Sequence, residues 1–80
     1  MTHEEIVEIL NWAGGQELPV LITTTESTEV IGVPTSVDTH ITAHEVYLRP
    51  PGHDGTEIAL SLGAIRSVAL LQGWTFAVSR

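Results

Sequence analysis

The chain contains no cysteine and no lysine, one tyrosine and one phenylalanine. Each absence removes a class of function. Without cysteine there are no disulfides, no thiolate zinc ligands and no cysteine nucleophile. Small secreted domains usually depend on such staples, so a cytoplasmic setting is expected. No basic stretch leading into an apolar core opens the chain, and no apolar run approaches the roughly 18 residues of a membrane span. Lacking lysine, the chain sets only Arg49, Arg66 and Arg80 against ten acidic residues, a net charge of −7. Affinity for nucleic acid rests largely on Lys and Arg neutralising phosphates, so direct nucleic-acid binding is not expected. Anionic membranes are disfavoured for the same reason. A basic protein surface would instead be attracted.

What is present supports a folded domain. Hydrophobic residues make up 42% of the 80 positions, enough for a core. A chain of this size buries roughly 60–65% of the surface its unfolded form exposes. A single domain over 1–80 is expected, with a helix over 1–15 and a small β-barrel over 18–79.

The opening stretch MTHEEIVEILNWAGGQ carries the helix signals. Thr2 and Glu5 have capping-box spacing, and Glu4 and Glu5 lie at the positive end of the helix dipole. Ile6, Ile9, Leu10 and Ala13 mark one buried face, with Trp12 at its flank. Gly14 and Gly15 are the expected left-handed stop. After Pro19 the period changes to two, in segments rich in Val, Ile and Thr. Val20, Ile22 and Thr24 point one way and Leu21, Thr23 and Thr25 the other. A turn over 26–29 leads to a strand over 30–37, where Gly32 and Pro34 signal a bulge or an edge. HEVYLRP, TEIALSL and RSVALL read as further strands, and WTFAV as a sixth. Ile6, Leu10, Val20, Ile22, Ile58, Leu60, Ile65 and Val68 are the expected core. The fold class is mostly β (α+β): an N-terminal helix, then five or six antiparallel strands in a small barrel.

Chemistry-bearing motifs are few. His40 and His44 would share a helix face at zinc-pair spacing, but their neighbours Ile, Thr, Val and Tyr read as strand. At about 3.3 Å per residue, that places their Cα atoms roughly 13 Å apart, too far to share a metal. His53 and Asp54 occupy a turn, and His3 is remote in sequence. No metal site and no cofactor are expected. Ser27, Ser36, Ser61, Ser67 and Ser79 lie in no nucleophile-elbow context, so no catalytic residue is assigned.

The segment LSLGAIRSVALL, residues 60–71, resembles the closing strands of Sm-like and SH3-like small barrels. In those folds the penultimate strand ends in a single helical turn, and an Ile-x-x-Val strand follows. The stretch from ILNWAGGQELPVLITT onward is similar in layout to WYL-type domains over about residues 5–71. Ile22-Thr23-Thr24 stands near the place of that family's Trp-Tyr-Leu tripeptide, and its ligand-binding arginines have no counterpart, so nucleotide sensing is not implied. Small acidic Rho-inhibitor proteins share a similar barrel and charge sign. That resemblance implies a regulator occupying a basic, nucleic-acid-binding surface of a partner, whereas the Sm resemblance implies a self-assembling ring subunit.

The function expected is therefore a non-catalytic, acidic interaction or regulatory module with a protein partner. Tyr47 and Arg49 are its candidate anchors, because aromatic and Arg side chains dominate interface energetics. Glu26, Glu29 and Glu57 are its candidate acidic contacts.

Overall fold

The computed structural model describes residues 1–52 and 55–71. The element order is α1 (His3–Gln16), β1 (Val20–Thr24), β2 (Glu29–Asp38), β3 (Glu45–Arg49), β4 (Ile58–Ser61), a 3-10 turn (Leu62–Ala64) and β5 (Ile65–Leu70). The strands form one antiparallel sheet in the order β4-β3-β2-β1-β5. The expected sixth strand over 74–78, with Trp74, Phe76 and Val78, lies outside the described residues, as do His53 and Asp54.

Helix α1 forms where its caps predict. The Thr2 side chain accepts from the Glu5 amide at 3.2 Å, and Glu5 Oε1 accepts from the Thr2 amide at 2.8 Å. The backbone bond to Thr2 is the main reason the Glu5 carboxyl titrates below its usual range. The helix does not stop at Gly14-Gly15. It runs to Gln16, and Glu17 takes the left-handed cap at φ 56°, its amide bonding to Ala13 and Gly14 carbonyls. Gly14 serves a different need, since a Cβ there would stand 3.1 Å from the Pro34 carbonyl oxygen. It lets the helix sit down on β2.

That contact sits where β2 bends. Residues 29–32 pair with β1, whereas residues 33–38 pair with β3, with a register shift between Pro34 and Ser36. Pro34, which has no amide to donate, falls just past the last β1 pair, so the bulge expected from Gly32 and Pro34 is present. The bend wraps both halves of the sheet around Leu10, Ile22, Leu48, Leu62, Val20 and Val46, the largest fully buried side chains. In the β1–β2 hairpin, Ser27 adopts φ 66°. The buried Thr24 hydroxyl is satisfied there by the Thr28 amide at 3.1 Å.

Six expected core residues, Ile6, Leu10, Val20, Ile22, Ile65 and Val68, are buried together. Ile58 and Leu60 point inward but are only half-buried, because among the described residues β4 is an end strand with a neighbour on one side. Ala13, Val46, Leu48 and Leu62 complete the core instead.

Candidate interaction surface

On β3 the side chains alternate between faces. Val46 and Leu48 are buried, leaving Glu45, Tyr47 and Arg49 on the outer face. The register sets Glu45 opposite Asp38 and Ser61, Tyr47 opposite Ser36 and Ala59, and Arg49 opposite Val33. The Tyr47 hydroxyl donates to Glu45 Oε1 at 3.2 Å. Thr35, the extra residue of the β2 bulge, donates its hydroxyl to Glu57 Oε2 at 2.7 Å and lies 3.2 Å from the Tyr47 carbonyl oxygen. The bulge thus aims Thr35 so that it holds Glu57 beside β3.

The bond to Glu45 raises the Tyr47 pKa, with the Glu45, Asp38 and Glu57 charges adding to the effect. Because the folded value is raised, the linked stability is present below the usual tyrosine range and lost as pH rises through the folded value. Tyr47 is the only tyrosine, so the absorbance of ionised phenol reports it alone. Its titration is expected to have a midpoint above that of free tyrosine and to move down in Glu45→Gln. An unchanged midpoint in that variant would mean the hydrogen bond is not made in solution.

The structure splits the five candidate contact residues. Tyr47, Arg49 and Glu57 gather at the outer face of β3, whereas Glu26 and Glu29 lie in and after the β1–β2 turn. Glu29 and the Asp38–Glu45 corner occupy opposite ends of the ten-residue β2, so one small partner segment would not meet both.

His40 and His44 do not stand on a strand. Residues 39–44 form the β2–β3 loop, with the Ala43 amide bonded to the His40 carbonyl and His44 at φ 48°. The separation expected from strand geometry therefore does not apply. His44 instead meets His3 of the helix, the rings stacked at 4.9 Å between centroids. Among the described residues, no group of three or more His, Cys, Asp or Glu could hold a metal ion.

Two surface features escape sequence patterning. Between α1 and β5 lies an apolar groove of about 510 Å³ lined by Ile9, Trp12 and Leu70, with Glu5 and Glu8 beside them. Trp12 is 48% exposed and Leu70 40%. The other feature is the open edge of the sheet. Among the described residues, the end strands β4 and β5 each lack a second neighbour. Leu71 sends its amide to Pro19 next to β1, so the alternating amides of Val68 and Leu70 face the open side of β5. Among the described residues, the Val68 amide there meets only the Met1 sulfur, at 3.3 Å, and a thioether is a weak acceptor.

No family model matches the chain, and no curated protein matches it significantly. Among solved structures it is similar to the crystal structure of the pleiotropic translational regulator Hfq. The TM-score is 0.65 at 17% identity, covering 88% of this chain and 97% of that one. The fold is Sm-like. The single turn after β4 and the Ile65–Val68 spacing of β5 lie where the Sm resemblance of residues 60–71 puts them. In the described part of this Sm-like chain, no helix is long and apolar enough to cross a membrane.

Proposed function

We propose that this chain is a non-catalytic, cytoplasmic assembly module. Its copies join edge to edge, β4 of one to β5 of the next, and the assembly meets basic protein partners through its acidic surface. The observation carrying this reading is the strand order. Among the described residues, the sheet of five strands presents two end strands, and unpaired edge amides and carbonyls are templates for pairing with another chain. Because the two edges differ, their contact is head-to-tail, and such contacts close into rings where the rotation per copy allows. Likeness to a translational regulator supports a regulatory role for such an assembly.

The partner class follows from charge. Asp38, Glu45 and Glu57 surround Tyr47 closely enough to raise its pKa. In this reading the Tyr47 face, with Arg49 beside it, receives a cationic surface, including one that otherwise binds nucleic acid. Glu26 and Glu29 serve as a separate contact at the other end of β2. Gel shifts with single- and double-stranded DNA and RNA at low salt, where electrostatic attraction is strongest, test the partner class. No retardation is expected. Micromolar binding to any of these nucleic acids would overturn it.

A further inference from the structure

We infer that the groove between α1 and β5 is a docking site for a basic segment of a partner protein. The segment inserts one bulky apolar side chain between Trp12 and Leu70 and sets a lysine or arginine against Glu5 and Glu8. This goes beyond edge-to-edge assembly and does not depend on it.

The groove has the make-up of a recognition site for a side chain. Its floor is apolar, its volume of about 510 Å³ falls in the range of pockets that hold small ligands or anchor residues, and its most prominent wall is a half-exposed tryptophan. Tryptophan is the residue type most enriched at binding hot spots, where it supplies large contact area at low entropic cost. The helix supports it without depending on it, because α1 buries Ile6, Leu10 and Ala13 and leaves Trp12 outside the core.

Charge selects the occupant. Of the Glu5 carboxylate, Oε1 is engaged by the Thr2 amide. Glu5 Oε2 and the Glu8 carboxylate have no hydrogen-bond partner among the described residues. Neither described arginine lines the groove, since Arg66 bonds the Thr25 carbonyl and Arg49 stands on the outer face of β3. Glu5 and Glu8 at the groove pair with a cationic segment, whereas the acidic side chains of a second copy would find no cation there among the described residues.

The test uses the full chain and a short synthetic peptide with a central Leu-Phe pair flanked by lysines, beside the same peptide flanked by glutamates. Binding is read by peptide fluorescence anisotropy and mapped by amide chemical shifts. The lysine peptide is expected to bind, to weaken as salt is added, and to perturb residues 5–12 and Leu70. Trp12→Ala and Glu8→Lys should each weaken it at least about tenfold while leaving the melting transition in place, since both positions are exposed. The glutamate peptide should not bind. Equal affinity for wild type and Trp12→Ala would reduce the attraction to generic charge and overturn the assignment. So would binding that appears only after residues 72–80 are removed, which would make the chain's own C-terminus the occupant. A change in oligomeric state in Trp12→Ala without a change in peptide affinity would give the groove to a second copy and equally overturn it.

Discussion

Leu10→Ala is expected to cost about 2–5 kcal/mol of stability, the range for truncating a fully buried leucine. Leu10 has no exposed surface and lies at the centre of the face that α1 turns toward the sheet. The matching change at Leu60 should cost visibly less, because Leu60 is half-buried on an end strand. Typical domains hold only about 5–15 kcal/mol in total, so the Leu10 variant should lose a large share of its stability. Denaturant melts of the two variants give the comparison directly. Equal costs would mean β4 is covered in solution, as it would be in an assembly, and the measurement is therefore best made at low protein concentration.

That contrast also shows where sequence patterning succeeds and where it stops. The α1 face and the inward side of β1 are legible because each is fixed by local spacing, at a period of 3.6 or 2. The inward direction of Ile58 and Leu60 is legible too. Their depth is not, because depth depends on which strands end up at the sheet's edges. Gly14-Gly15 resembles a helix stop, yet the Pro34 carbonyl 3.1 Å from a Cβ at Gly14 gives that glycine a tertiary purpose. Across residues 38–45, Thr39, Ile41 and Thr42 between Val37 and Val46 read as strand, but Ile41 is 95% exposed in a loop. Alternation misleads wherever an apolar residue stands in solvent. The same loop brings His44 to His3, a contact that no local spacing announces.

For the interaction surface, Tyr47 and Arg49 share a face because they are two residues apart on β3. Glu57 joins them through Thr35, the extra residue of the bulge. Glu26 and Glu29 are separated from that group by the length and bend of β2, and charge counting alone does not resolve that separation. The α1–β5 groove is hidden for a related reason. Trp12 lies just off the helix stripe, and only the fold shows that Leu70 stands across from it.

Leu70→Pro is expected to abolish association between copies while leaving the protomer folded. The Leu70 amide faces the open side of β5, so proline removes an edge donor without breaking a bond to β1. Sheet edges tolerate proline for that reason, and natural proteins use it there to block edge pairing. The Met1 sulfur at the Val68 amide should not prevent association, since a strand carbonyl is a better acceptor than a thioether. Light scattering of the variant beside wild type reads the effect. A variant that keeps the wild-type mass would show that copies meet elsewhere.

Sedimentation velocity of the wild-type chain across a salt series is the most direct test of edge-to-edge assembly. Each copy carries a net charge of −7, so copies repel, and added salt screens that repulsion. Assembly through backbone edges should therefore strengthen as salt rises, giving one discrete species several times the 8.6 kDa of the single chain. A contact with a basic partner would show the opposite trend, which keeps the two activities separable. Sedimentation as a single 8.6 kDa chain at every salt and protein concentration would contradict the assembly role outright.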